Sequence, residues 1–126
     1  MIHGAHFLLY TGSPDADRAF LCDVIGLKGI DIGHGWIIMA LPPSEIAVHP
    51  AETTSVQGGA GHGMLGAHLY LMCDDVKAEI ARLHAQGVVC APIDEARWGL
   101  RTTLKLPSGG EIGLYQPLHP TAIGLK

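Results

Sequence analysis

The chain is written twice. Ala5-His6-Phe7-Leu8-Leu9-Tyr10 is echoed by Ala67-His68-Leu69-Tyr70-Leu71-Met72. A fixed internal repeat constrains architecture more than any single motif, because each copy must fold as the same supersecondary unit. Both runs are β-favouring and mostly apolar, as strands covered on two faces are. A helix start follows each one. Ser13 is placed to cap the first helix with Pro14 at its first position, and Asp75 occupies the equivalent place before Val76. Ala16, Phe20 and Val24 recur at helical spacing in the first helix, and Val76, Ile80 and Leu83 in the second. Gly26 and Gly87 follow, where glycine accepts the left-handed conformation that ends a helix.

A second echo closes each copy. Leu41-Pro42-Pro43 leads into Glu45 to Pro50, and Leu106-Pro107-Ser108-Gly109-Gly110 leads into Glu111 to Pro117. Both read as a turn and a short strand that proline ends. Two further strands fit between helix and final strand, near Ile30–Ile32 and Trp36–Leu41 in one copy and Val88–Pro92 and Leu100–Leu106 in the other. The pattern predicts an α+β fold of two βαβββ modules: module one over 1–50, a Gly/Ser/Thr-rich linker over 51–66, module two over 67–117 and a tail over 118–126, all within one domain spanning 1–126. The linker holds Gly61-His62-Gly63-Met64-Leu65-Gly66, a formal GxGxxG. A strand rather than a helix follows it, so it cannot aim a helix dipole at a phosphate.

With 48% hydrophobic and 16% charged residues the composition is that of a soluble globular chain. Net charge is −4 with Lys and Arg scattered, which argues against nucleic acid and against an anionic membrane surface as partners. No run reaches the ~18 apolar residues that cross a bilayer, and no secretion signal opens the chain. Cys22, Cys73 and Cys90 lack metal spacing and sit among apolar residues, consistent with a reducing cytoplasm. No Ser/His/Asp elbow and no basic cysteine pocket offers a nucleophile.

Paired βαβββ modules in so short a chain resemble the vicinal oxygen chelate superfamily of glyoxalases, bleomycin-resistance proteins and extradiol dioxygenases. The resemblance rests on His6 to Tyr10 and Phe20 to Leu27 in module one. In module two it rests on His68 to Asp75, the helix ending at Gly87, Trp98-Gly99, and Leu106 to Gly110. It implies curved mixed sheets with helices outside, forming a cup that a homodimer usually completes. It also implies a divalent metal (Zn, Fe, Mn or Ni) held by a His on each first strand and an acid on each last strand. His6 and His68 fall on the first-strand positions, but the last-strand positions fall on Ala47 and Gly113, which cannot ligate. His49, one pleat beyond Ala47, is the candidate third ligand.

Alternation places Tyr10, Tyr70, Met72 and Tyr115 on the faces that carry these histidines, and Ile46, Val48, Ile112 and Leu114 on the helix-covered faces. Tyr10, Tyr70 and Tyr115 are candidate substrate contacts, as are Trp98 and Arg101 of the Arg97-Trp98-Gly99-Leu100-Arg101 segment. The competing readings are structural: strand histidines ordered by hydrogen bonds, core tyrosines with a polar tip, and a solvated hairpin with Trp98 packed on it. Glu45 and Glu111 are expected to face water. Two functions follow from the resemblance. The first is an enzyme of lyase, isomerase or dioxygenase type acting on a small oxygenated molecule in the cup, with a metal on His6, His68 and His49. The second is a metal-free protein of the bleomycin-resistance type that sequesters a small molecule.

Overall fold

The computed structural model describes residues 1–51 and 61–125, together with the backbone of Ser55–Gln57. Helix α1 (Pro14–Phe20) is the first regular element of module one and continues into a π-helical turn, Leu21–Ile25, whose ring is closed by Gly26 N–H on the Leu21 carbonyl at 3.0 Å. Gly26 then takes φ 91°, the left-handed cap for which glycine has no Cβ penalty. Ser13 stands at the N-cap but its side chain caps nothing; its own N–H instead donates to the Thr11 hydroxyl. The buried positions of this segment are Asp17 and Leu21, with Phe20 and Val24 half-buried and Ala16 exposed, so the stripe is rotated from the one expected.

Strands β1 (Gly29–Asp31) and β2 (Ile37–Met39) pair as an antiparallel hairpin. The stretch expected to be a linker carries a second hairpin, β3 (Ser55–Gln57) with β4 (Gly63–Leu65); the rest of that linker, 52–54 and 58–60, lies outside the described residues. The segments His6–Tyr10 and Ile46–His49, expected as the first and last strands of module one, join no ladder and are exposed. Their counterparts in module two pair with each other. In module one that pairing is not made, and an extended run without a ladder partner is not a strand. Ile46 and Val48 therefore cover no helix; they are 91% and 93% exposed.

Module two is complete. It runs β5 (Tyr70–Met72), α2 (Val76–Ala85), β6 (Asp94–Ala96), β7 (Gly99–Lys105) and β8 (Glu111–Pro117), and its sheet has the order β5-β8-β7-β6. β5 and β8 are parallel; the other pairs are antiparallel. The strand expected at Val88–Pro92 is split. Lys105 N–H bonds Val89 and Ala91 N–H bonds Thr103, with a bridge from Cys90 to Leu104, and then Pro92 has no N–H to continue the ladder and pairing resumes only at Asp94.

Helix α2 is fixed at its start. Asp75 accepts from Ala78 N–H at 3.1 Å and Gln116 of β8 accepts from Val76 N–H at 3.0 Å, satisfying two of the helix's free donors. Its apolar side, Val76, Ile80 and Leu83, packs with Leu104, Ile112 and Leu114 of the sheet, Leu106 just beyond β7, and Leu21 of the π turn. Burying each such side chain contributes roughly 1.5–3 kcal/mol. Two polar links bind module one to this core: Arg82 Nη1 to the Val24 carbonyl at 3.3 Å, and Ser108 N–H to the buried Asp17 carboxylate at 3.0 Å.

Candidate functional site

The sheet face turned away from α2 is built by alternation. Leu71, Thr102, Leu104, Ile112 and Leu114 are used against the helix, which leaves Tyr70, Met72, Gly99, Arg101, Thr103, Gly113 and Tyr115 on the other side. Strand register then sets the neighbours. Tyr70 lies beside Gly113, which lies beside Thr103; Met72 lies beside Tyr115, then Arg101, then Asp94.

Two glycines make room for two rings. A Cβ at Gly113 would run into the Tyr70 ring, and one at Gly99 would run into the Tyr115 ring. Gly113 is one of the two positions where the last-strand acid was expected, so Tyr70 lies over the place from which a ligating carboxylate would rise. The rings meet edge to face, with centroids 6.1 Å apart. The Trp98 and His119 ring centroids each lie 5.8 Å from that of Tyr115. The Tyr115 hydroxyl donates to the Trp98 carbonyl at 2.8 Å, so it is already spent on the hairpin. Burial, and then the Glu45 carboxylate, push this phenol above its usual range against an opposing effect of Arg101, and it stays a neutral donor.

Arg101 is held in place. Its Nε donates to Asp94 Oδ2 at 2.8 Å, and its guanidinium carbon sits 5.0 Å from the Trp98 ring centroid. The hydrogen bond to Asp94 raises its already high pKa further. Beyond it, Thr103 donates to Glu111 at 2.7 Å. Trp98, Tyr70, Tyr115 and Arg101 thus form one cluster. Tyr10 does not join it; it lines a separate recess of about 230 Å³ with Leu9, Asp17, Ser108 and Glu111.

His119 had no signal in its spacing. The tail folds back after Pro117, Leu118 N–H bonds the Trp98 carbonyl, and Ala122 N–H bonds Glu45 at 2.8 Å. Glu45 is thereby half-buried rather than fully in water, while Glu111 is exposed as expected.

A family model matches residues 4–113, and the chain belongs to the Glyoxalase/Bleomycin resistance protein/Dioxygenase superfamily. The α+β architecture is that of this superfamily. Similar solved structures include TnmS3, an antibiotic binding protein from Streptomyces sp. CB03234 (21% identity, 93% of this chain and 99% of that one, TM-score 0.61), and lactoylglutathione lyase from Agrobacterium tumefaciens (20%, 86% and 88%, TM-score 0.59). A glyoxalase family protein from Enterococcus faecalis is similar at 17% identity, 79% and 86% coverage and TM-score 0.54. At these identities the likeness is one of fold. No curated protein sequence matches the chain.

The enzyme reading of the sequence implies a chelated metal, so its donor set can be tested here. His6, His49 and His68 are all exposed. Among the described residues no three His, Cys, Asp or Glu side chains gather closely enough to hold an ion. Ala47 supplies no donor and the Tyr70 ring lies over Gly113. Ala47 and Gly113 thus bring no carboxylate to the last-strand positions of the expected set of imidazoles and carboxylates. Among the described residues no helix is long and apolar enough to cross a membrane.

Proposed function

We propose that this chain binds a small molecule on the aromatic face of module two, and does so through ring contacts and Arg101 rather than a chelated metal. The observation that carries this reading is the Tyr70 ring seated over Gly113: an aromatic contact surface lies where a metal ligand was expected. Cytoplasmic placement and binding across a homodimer are parts of the same proposal.

The second reading is the metalloenzyme, with a Zn, Fe, Mn or Ni ion on His6, His68 and His49 acting on an oxygenated substrate. Its support is that His6 and His68 occupy equivalent places in the repeat and both imidazoles are exposed. Calorimetric titration of untagged protein with Zn, Mn, Ni and Fe(II) separates the two. The binding reading expects no saturable site. One ion per chain, lost in both His6→Ala and His68→Ala, would replace it with the enzyme reading.

A further inference from the structure

The proposed small-molecule site contains a guanidinium whose orientation is set before any ligand arrives. Arg101 is fixed at one edge by Asp94, at 2.8 Å from Nε, and its guanidinium carbon lies 5.0 Å from the Trp98 ring centroid. Of its five N–H donors, that ion pair uses one at Nε. The Nη edge is where a planar oxyanion would form two parallel hydrogen bonds. An arginine already held in one rotamer loses less conformational freedom on binding than a free one.

Beside it the surface is aromatic. Trp98 is 45% exposed, although it leans on Tyr115, and Tyr70 is only half-buried. A flat apolar ligand body would meet rings there instead of water.

Resting on the binding reading, we propose that the ligand class is a planar aromatic carboxylate, with its ring against Trp98 and Tyr70 and its carboxylate on the Nη edge of Arg101. Asp94 is the charge that could favour the opposite choice, an aromatic cation. Its carboxylate is already engaged by Nε, and Arg101 stands between Asp94 and Tyr115 in the register.

The test is calorimetry on the full chain with three probes: naphthalene carboxylate, the neutral naphthalene carboxamide, and naphthylmethylammonium. The wild type should prefer the carboxylate over the carboxamide by about tenfold, the scale of one charge-assisted hydrogen bond. Arg101→Gln should erase that preference, with a far-UV circular dichroism spectrum and melting midpoint like the wild type's showing that the variant is folded. Arg101→Lys should restore only part of it, since an ammonium cannot form the paired bond. Equal binding of acid and amide, preference for the ammonium, or a preference that survives Arg101→Gln overturns the aromatic carboxylate and leaves the binding reading standing. Failure of all three probes to bind overturns both.

Discussion

The ring of Tyr70 lies over Gly113 so closely that the glycine cannot gain a methyl group without moving it. Gly113 is buried in β8 and paired in register with Tyr70 of the parallel strand β5. Gly113→Ala should therefore destabilise the fold by about 1–3 kcal/mol, the usual cost of overpacking. In Tyr70→Ala the obstacle is gone, and adding Gly113→Ala to that background should cost less than about 0.5 kcal/mol, a non-additivity expected only of residues in contact. Urea denaturation of the four proteins measures it, and additive costs would sink the interlock.

Asp17 predicts a pH dependence. Its carboxyl is buried, which alone raises its pKa, but hydrogen bonds from the Thr11 hydroxyl at 2.7 Å and from Ser108 N–H at 3.0 Å outweigh burial and hold it below the usual carboxylate range. A depressed folded pKa means that ionised Asp17 contributes stability above the unfolded value and that this contribution disappears as pH falls through the folded one. Asp17→Asn should therefore cost about 1–3 kcal/mol at neutral pH by weakening its charge-assisted bonds. The gap between wild type and variant should narrow below pH ~4. Melting curves from pH 7 to pH 3 check this; a gap that widens on acidification contradicts it.

Burial pushes the Cys73 and Cys90 thiols above their ordinary value, and at Cys73 the Glu79 carboxylate acts in the same direction. The thiolate is the reacting form. Both should label with a disulfide reagent at pH 8 more slowly than a denatured control, by roughly tenfold per unit of pKa. Equal rates in native and denatured protein would show that neither thiol is protected.

Module two was legible because its local signals agree with its pairing. Asp75 caps α2, Val76 and Leu83 are its buried stripe, and the alternation that puts Ile112 and Leu114 on the helix side puts Gly113 and Tyr115 on the other. The same reasoning failed for Ile46 and Val48, since alternation says which residues share a face but not whether a partner strand arrives. Trp98 and Arg101 were legible as a pair; Asp94, which positions Arg101, became visible only through the β6–β7 register. That Tyr70 would lie over Gly113 follows from the parallel pairing of β5 with β8, which brings together residues 43 positions apart in sequence. The fold of His119 onto Tyr115 has no periodicity behind it at all.

The last prediction concerns what covers module one. His6–Tyr10 and Ile46–His49 are apolar runs with no ladder partner, and Leu8 is 59% exposed where its repeat equivalent Tyr70 is half-buried. Unpaired apolar extended segments are surfaces onto which a second copy can add, and a symmetric pair of chains gives each the same partner. The protein should run as a homodimer by light scattering at micromolar concentration. Leu8→Asp or Val48→Asp places a charge in the region to be covered and should weaken the dimer by at least about tenfold, since an unpaired buried charge costs well over 1.4 kcal/mol. Neither residue belongs to the α2 core, so the circular dichroism of module two should be unchanged in both variants. A wild type that scatters as a monomer, or variants that remain dimeric, would show that these segments are not the interface.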